Sequence, residues 1–430
     1  MKALSRKKFL QQAGGGALGL ILATQGGSVE DRQAPDFLLP EYSPGAGEAL
    51  WRKVREQYAM DPAQVYLNCG GLGPPLMAAL RVRDAIEKKL RPKVESGHAL
   101  FEESRRVAAD FFGAGVDEVC FTRNATEGNS IIASGLNLQA GDEVVFDSHA
   151  HPGGSLPWLN RARQHGVVIR TFEPSAESAE DNVARIAALI TPRTRVIQVS
   201  HVTAPTGLLL PVRLIATLAH AHGLWFHVDG AQSAGMIPVN LHELGCDSYA
   251  TSGHKWLGAP CETGVLYVRQ EKIEDVAPQQ AGAYSTGEFD FSGRFEFSRG
   301  ARRFEYGTRS AAVVAGLVEA MRFQNAIGRD RIAAYGQSLA ARVREGLAPI
   351  HGISVLTPNR VELASSMVTF RIEGVSCSQV FDYLLAKHHL RCRPVTELNM
   401  DAIRVSTHVF NTSRDCDQLI AAVAGHPALG

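Results

Sequence analysis

The chain has 430 residues, of which 45% are hydrophobic and 20% charged. This is the composition of a soluble globular protein that is too long for one small core. Its 44 Lys and Arg residues balance 44 Asp and Glu residues, which argues against binding to nucleic acid or to an acidic membrane surface. The seven Cys residues are scattered without a CxxC pair, which argues against a zinc ribbon, a thioredoxin motif and a disulfide framework.

Residues 1–30 have the layout of a targeting segment. A basic stretch over residues 1–10 precedes a Gly-rich, weakly apolar run, which is the order of an n-region and an h-region. Residues 5–10 (SRKKFL) resemble the twin-arginine translocation signal, with Lys7 in place of the second arginine. The apolar run is too short to span a membrane. We predict export to the periplasm by this route; the alternative is a basic amphipathic helix at the start of a cytoplasmic protein.

Residues 31–64 read as a linker followed by a helix near 48–58. From residue 65 onward, short β-branched runs alternate with helical patterns, which predicts an α/β domain over residues 65–310. Its sheet is expected to be mostly parallel and seven-stranded, with strands at 118–122, 143–147, 167–172, 196–200, 224–228, 248–250 and 264–268. Helices are expected between these strands, on both faces of the sheet.

The pattern changes after residue 307. One long helical region over 311–347 is followed by isolated strands near 354–356, 367–372, 389–393 and 403–407, and by a helix over 415–423. This predicts a smaller α+β domain over residues 311–430.

Two strings in the second half of the larger domain carry chemistry. Residues 224–232 (LWFHVDGAQ) form an apolar strand that delivers Asp229 at its carboxyl end, where α/β sheets place ligand sites. Alone, a strand ending in Asp-Gly indicates only a turn. Lys255 follows within residues 251–260 (TSGHKWLGAP), and a lysine among apolar and aromatic neighbours has its pKa lowered by desolvation, which suits Schiff-base chemistry.

Residues 121–129 (FTRNATEGN) follow a strand and open a helix. The free N–H groups and the dipole of a helix N-terminus suit a phosphate dianion. The alternative is a capping box formed by Thr126 and Asn129.

Together the VDGAQ and SGHKW strings resemble the class V aminotransferase (cysteine desulfurase-like) family of fold-type I pyridoxal 5′-phosphate (PLP) enzymes, over residues 65–412. The resemblance implies that PLP is the cofactor and that the fold is the fold-type I transferase fold. It implies that Lys255 holds PLP covalently and then moves the Cα proton. Asp229 would pair with the pyridinium nitrogen, and Gln232 would hydrogen-bond the phenolic oxygen of the ring.

The same resemblance assigns the rest of the cofactor site. Ala125 and Thr126, in the family's ATE motif, would bind the phosphate together with Ser252 and His254. An aromatic residue in the 147–152 loop would stack on the ring, and the register from residues 156–158 (LPW) selects His151. His149 is the second choice, and a solvated loop histidine is the alternative.

Two further motifs concern the partner subunit and the substrate. Residues 304–308 (FEYGT) resemble the family's fE-GT motif, which implies that Thr308 reaches the phosphate of a neighbouring subunit and that the protein is a homodimer. Residues 402–412 resemble the iRiS…yNt segment, which implies a two-pronged contact of Arg404 with the carboxylate of a small amino-acid substrate.

The chain also departs from the desulfurases. Residues 393–404 contain no Cys where those enzymes carry a catalytic one, and Cys392 reads as an inert thiol in a strand. Residues 66–75 (YLNCGGLGPP) instead resemble the opening of isopenicillin N epimerase-like proteins, with Asn68 as a substrate contact, and kynureninases show a looser version.

We therefore predict an epimerase-like PLP enzyme that removes the Cα proton of an α-amino acid. The alternatives are a C–S lyase acting on a cysteine derivative, an aminotransferase, and a PLP-binding protein without catalysis; retention of Lys255 and Arg404 argues against the last. No metal site is predicted, because His220 and His222 lack further ligands at suitable spacing.

Overall fold

The computed structural model describes residues 47–429. The predicted targeting segment and residues 31–46 of the predicted linker lie outside the described residues. Within the described part, no helix combines the length and the apolar character needed to cross a membrane.

The described chain alternates between helices and strands. The helices are α1 (Gly47–Arg55), α2 (Met77–Leu90), α3 (Leu100–Phe112), α4 (Ala125–Gly135), α5 (Pro152–His165), α6 (Ala179–Ala187), α7 (Val212–Ala221), α8 (Leu241–Leu244), α9 (Ala311–Ile327), α10 (Arg329–Leu347), α11 (Cys377–His388) and α12 (Ser413–Ala424). The strands are β1 (Val65–Tyr66), β2 (Val119–Thr122), β3 (Glu143–Asp147), β4 (Val168–Phe172), β5 (Thr194–Ser200), β6 (Trp225–Asp229), β7 (Ser248–Ser252), β8 (Gly264–Val268), β9 (Thr286–Phe289), β10 (Phe295–Phe297), β11 (Ile353–Val355), β12 (Met367–Ile372), β13 (Leu390–Arg391), β14 (Arg393–Val395) and β15 (Ala402–Ser406).

A seven-stranded sheet forms the centre of the larger domain, in the order β2-β8-β7-β6-β5-β3-β4. Strands β3 to β7 run parallel, and β8 runs antiparallel to both of its neighbours. Strands β6, β7 and β8 are buried along their whole length, as expected for a sheet covered on both faces. The predicted mostly parallel α/β sheet is confirmed, and each predicted strand is shifted by at most two residues.

The smaller domain contains an antiparallel sheet in the order β11-β12-β15-β14. The single strand predicted over 389–393 is wrong in detail. It is two short strands that separate at Cys392, because β13 pairs in parallel with β1 whereas β14 pairs with β15.

The helical region predicted over 311–347 is two helices that meet at Gly328. Its φ of +98° is a backbone conformation that L-amino acids with side chains rarely adopt. The buried side chains of α9 lie mainly in the core of the larger domain, whereas α10 packs against the second core from Tyr335 onward. The predicted domain boundary at residue 311 stays a prediction.

A buried carboxylate at the start of β3 gives the fold a measurable acid sensitivity. The Glu143 side chain has no solvent exposure and accepts hydrogen bonds from Arg170 Nη2 (2.9 Å), Thr191 Oγ1 (2.6 Å) and Arg193 Nη2 (3.1 Å). The bond from Arg170 is the main reason that the pKa of Glu143 is lowered to about 2. A lowered pKa means that this stabilisation is complete above the ordinary value of 4.5 and is lost as the pH falls toward 2.

We therefore expect Glu143→Gln to lower the urea midpoint of unfolding at pH 7, and the difference from the wild type to shrink as the pH falls from 5 to 3. The reason is that a protonated Glu143 has the hydrogen-bonding character of glutamine. Urea titrations of both proteins across this range measure the effect. A difference that stays constant with pH would contradict it.

Candidate active site

A cleft of about 240 Å³ lies where the carboxyl ends of β6 and β7 meet the N-termini of α4 and α5 and the strands β14 and β15. Nine of the predicted site residues line it: Ala125, Thr126, His151, Asp229, Gln232, Ser252, His254, Lys255 and Arg404. Asn68 hydrogen-bonds Arg404 at its edge. The structure thus brings together all of the predicted residues except Thr308.

Lys255 lies in the turn that follows β7, with its side chain in the cleft. Burial lowers the pKa of its amine to about 8, against the opposing effect of the Asp229 carboxylate. The turn is held by the N-terminal motif, because Gly73 N donates to His254 O at 2.7 Å. A Cβ on Gly73 would lie 1.9 Å from the carbonyl oxygen of Lys255, so only glycine allows this approach.

Asp229 ends β6 and is 6% exposed. Both carboxylate oxygens accept hydrogen bonds, Oδ1 from Ala231 N and Oδ2 from Asn129 Nδ2, each at 3.0 Å. Helix α5 approaches so closely that a Cβ on Gly154 would lie 2.6 Å from Asp229 Oδ2. The carboxylate is therefore fixed in orientation by its donors and by the backbone of α5.

Gly154→Ala should consequently push the Asp229 carboxylate out of place. We expect PLP to bind about tenfold more weakly, with little change in thermal unfolding of the apoprotein. Gly287→Ala is a matched control, since a Cβ there would meet only Glu296 O, at 4.0 Å. Equilibrium dialysis against PLP measures both variants, and equal affinities would contradict the proposed crowding at Asp229.

Gln232 is held by two neighbours. The Trp256 indole N–H donates to Gln232 Oε1 at 2.8 Å, and Gln232 Nε2 donates to Gly70 O at 2.8 Å. Because an indole nitrogen can only donate, the amide orientation is defined. One N–H of Gln232 remains for an acceptor in the cleft, which is what a phenolic oxygen requires.

The N-terminus of α4 supplies the phosphate-binding geometry. Its cap is Asn124, whose side chain accepts from Glu127 N, so the capping box proposed for Thr126 and Asn129 is wrong. Ser252 Oγ accepts from Ala125 N at 2.9 Å, which ties the helix to β7. Within the described residues, His254 Nδ1 is buried without a hydrogen-bond partner. An unpaired polar atom in the lining of the cleft and the N-terminus of a helix both suit the binding of a phosphate dianion.

The two candidate ring-stacking histidines differ in position. His151 caps α5 and is exposed in the cleft, where its Nδ1 accepts from Gly153 N at 3.0 Å. His149 is buried and its nitrogens lie 3.0 Å from Glu173 Oε1 and 3.3 Å from Thr206 Oγ1. The structure therefore favours His151 over His149 as the histidine facing a ring.

Arg404 projects from β15 and is 1% exposed. It donates to Ala204 O at 2.7 Å and to Asn68 Oδ1 at 3.3 Å, while its Nε has no partner among the described residues. Burial and the neighbouring Arg393 lower its pKa to about 9, so the guanidinium is still charged at neutral pH. No described carboxylate forms an ion pair with it, which leaves a buried cation suited to an anionic ligand.

Thr308 is exposed and does not line the cleft of its own chain. Glu305, three residues before Thr308 in the same motif, is buried and pairs with Arg105 through two hydrogen bonds of 2.8 and 2.9 Å. Glu305 also accepts from Phe121 N at 2.7 Å. The predicted motif thus anchors its loop beside the end of β2, next to a wider groove of about 670 Å³ that shares Asn124, Thr126 and His254 with the cleft.

Sequence reasoning missed several residues of the site. The sequence patterns indicate Asn129 only as a capping residue and do not single out Gly154 or Arg393 for the site. Arg393 lines the cleft from β14 and forms an ion pair with Glu397, its Nη1 having no partner among the described residues. Its place as the last residue of the strand predicted over 389–393 was the available signal, and in the structure it pairs in register with Arg404 of the neighbouring strand.

Two thiols are the sequence neighbours of the cleft residues Gly70 and Arg393, and both have raised pKa values. Cys69 and Cys392 are buried, and burial raises the pKa of both, that of Cys392 to about 12. A thiol that stays protonated is a poor nucleophile. No described Cys occupies the segment between Arg393 and Arg404.

The chain is similar to known proteins whose family agrees with the cofactor site described above. A model of the family "Aminotransferase class-V" covers residues 88–419. An isopenicillin N epimerase from Amycolatopsis lactamdurans is 31% identical over 87% of this chain and 98% of the relative, and a probable cysteine desulfurase from Halalkalibacterium halodurans is 30% identical over 85% and 94%.

Among solved structures, a lysine-to-alanine variant of C-DES with glycine covalently linked to its PLP cofactor has a TM-score of 0.80 and 25% identity, over 86% of this chain and 99% of that one. The cystine C–S lyase C-DES in complex with its product cysteine persulfide has a TM-score of 0.78 and 25% identity, over 84% and 97%. Fold and cleft together define a PLP-dependent enzyme of fold type I. The chain belongs to the class V aminotransferase family, as the sequence motifs predicted, and PLP is its cofactor.

Proposed function

We propose that this enzyme removes the Cα proton of an α-amino acid and returns a proton to the same carbon, as an epimerase does. The observation that carries this proposal is the sharing of one cleft by the Lys255 amine and the buried Arg404 guanidinium. The similarity to isopenicillin N epimerase over nearly the whole relative supports it.

The cleft residues fit PLP on their own chemistry. A helix N-terminus with Ser252 and His254 suits its phosphate, the fixed Asp229 carboxylate suits its ring nitrogen, and the N–H of Gln232 suits its phenolic oxygen. When bound, PLP supplies the electron sink for the charge left on Cα.

The protein's own residues have separate tasks in this proposal. Arg404, steadied by Asn68, binds the substrate carboxylate in two-pronged fashion and so fixes the Cα–H bond. The lowered pKa of Lys255, about 8, lets its amine accept the Cα proton near neutral pH. His151 lines the cleft at the cap of α5.

A persulfide-forming desulfurase is the less suitable member of the family. That reaction needs a thiolate in the cleft, and no described Cys lines it. Cys69 and Cys392, the sequence neighbours of two cleft residues, are buried with raised pKa values. A C–S lyase needs no thiol of its own, and the similarity to the cystine lyase C-DES makes it the second candidate.

Proton exchange in D₂O tests the proposal. The holoenzyme is incubated with a panel of amino acids that includes cysteine derivatives, and loss of the Cα–H signal is followed by NMR. Exchange with formation of the opposite enantiomer supports an epimerase. Release of a keto acid with a sulfur product would replace it with a lyase, and conversion of the cofactor to pyridoxamine phosphate would replace it with an aminotransferase.

We further propose a homodimer in which Thr308 of each subunit reaches the phosphate site of the other. Exposure of Thr308 on an anchored loop and the wide groove beside the phosphate site support this arrangement. Mixing a Thr308→Ala chain with a Lys255→Ala chain tests it: cofactor affinity at the intact lysine should be that of the wild type only when Thr308 comes from the other subunit.

We also propose twin-arginine export, which fractionation of cells carrying Arg6→Gln and wild-type chains would test.

A further inference from the structure

A row of buried polar side chains ends on the Asp229 carboxylate. Trp225, His227 and Asp229 alternate along β6 and therefore share one face of the sheet. Ser248 of the neighbouring strand β7 pairs with His227 in register, and Asn129 reaches them from α4. Each of these five side chains is buried, and Ser248, His227 and Asn129 have no solvent exposure.

Four hydrogen bonds join the row. Trp225 Nε1 lies 2.9 Å from Ser248 Oγ, which lies 2.8 Å from His227 Nδ1. His227 Nε2 lies 2.8 Å from Asn129 Oδ1, and Asn129 Nδ2 lies 3.0 Å from Asp229 Oδ2.

The direction of donation follows from chemistry at the Asn129 end. Asn129 Nδ2 also lies 3.0 Å from the carbonyl oxygen of Gly153, which can only accept. The NH₂ group therefore faces Gly153 and Asp229, and the amide oxygen faces His227. His227 Nε2 must then carry a proton.

The other end follows in the same way. Burial lowers the pKa of His227 to about 3, so the imidazole is neutral and its Nδ1 is an acceptor. The Ser248 hydroxyl donates to that nitrogen, and the Trp225 indole, which can only donate, satisfies the Ser248 oxygen. Every bond in the row then runs in one direction, from Trp225 to Asp229.

We propose that Asn129 and His227 are positioning residues that hold the Asp229 carboxylate against the ring nitrogen of PLP. His227 prevents the Asn129 amide from turning over, because the turned amide would place its oxygen against both Gly153 O and the Asp229 carboxylate. With Ala231 N on Oδ1 and Asn129 on Oδ2, the carboxylate cannot rotate. The inference rests on the proposed role of Asp229 and holds for any reaction at the cleft.

Asn129→Asp tests the row because it keeps the shape of the side chain and puts a carboxyl oxygen in place of the NH₂ group that donates to Asp229 Oδ2 and Gly153 O. We expect PLP to dissociate at least about tenfold more readily in equilibrium dialysis of the holoenzyme, the equivalent of one charge-assisted hydrogen bond. Ser248→Ala touches neither Asp229 nor the cofactor, yet should weaken PLP by about threefold and shift its visible spectrum, because it leaves His227 Nδ1 without a donor.

Asn182→Asp is the matched control. Asn182, on α6, is equally buried and donates to Ser175 O and Ser178 O at 2.9 Å, and it neither belongs to the row nor lines the cleft. Its PLP affinity should stay within about twofold of the wild type.

Asp229→Asn separates the two ways of failing. If it weakens PLP while Asn129→Asp and Ser248→Ala both behave like Asn182→Asp, the positioning role is overturned and Asp229 keeps its own. If Asp229→Asn itself binds PLP like the wild type, the proposed role of Asp229 fails and the inference fails with it. Should Asn129→Asp not fold, Ser248→Ala decides, and wild-type affinity and spectrum there overturn the proposal.

Discussion

Lys255→Ala should abolish covalent attachment of the cofactor and lower the rate of Cα–H exchange by about 10³-fold, within the range that a positioned general base contributes. The physical reason is that Lys255 is the amine in the cleft and that burial lowers its pKa to about 8. Borohydride reduction followed by peptide mass spectrometry detects the attachment, and NMR in D₂O measures the exchange.

Lys272→Ala is the control for this experiment. Lys272 lies in the same domain, over the Trp225 ring and outside the cleft. In the wild-type protein Lys272 should carry no reduced cofactor. The Lys272→Ala variant should attach PLP and exchange the Cα proton as the wild type does. Covalent attachment of PLP to the Lys255→Ala chain would contradict the assignment of Lys255 as the lysine that binds the cofactor.

Arg404→Ala should raise the dissociation constant for the amino acid by at least about 100-fold while PLP remains bound within about threefold of the wild type. Two charge-assisted hydrogen bonds to the substrate carboxylate are lost, whereas no predicted contact of Arg404 involves the cofactor. The dissociation constant of Arg404→Lys for the amino acid should lie between those of the wild type and of Arg404→Ala, because an ammonium group cannot make both hydrogen bonds to the carboxylate.

Spectral titration of the holoenzyme with substrate measures both effects. Arg342→Ala, which removes a half-exposed arginine paired with Asp417 in the same domain, controls for loss of a surface ion pair. Parallel loss of PLP and substrate in Arg404→Ala would show that the carboxylate site has been misplaced.

Much of the fold was predictable because the buried strands are continuous apolar runs separated by turns. The predicted β3 and β8 match the observed bounds, and Lys255 and Asp229 could be found because each follows such a strand. The break at Gly328 was harder to predict, since α9 and α10 have helical patterns on both sides of one glycine. The division at Cys392 depends on pairing with β1, more than 300 residues away, which no local pattern encodes.

The cleft residues that belong to contiguous sequence motifs were predictable. Those that are brought to the cleft by packing between distant segments were not. Asn129 and His227 come together through helix α4 crossing the sheet, and nothing in their local sequence distinguishes them from ordinary buried polar residues. Gly154 matters only because of an oxygen that approaches it from β6. Such relations depend on interatomic distances between distant segments.

The N-terminal motif ties the two domains to each other at the active lysine. Residues 65 and 66 pair with β13 of the smaller domain, while Gly73 N and Leu76 N bond to the carbonyl oxygens of His254 and Gly258 on either side of Lys255. This stretch therefore acts as a strap between the bodies that form the two walls of the cleft. The position of the smaller domain and that of the backbone carrying Lys255 therefore depend on the same stretch of chain.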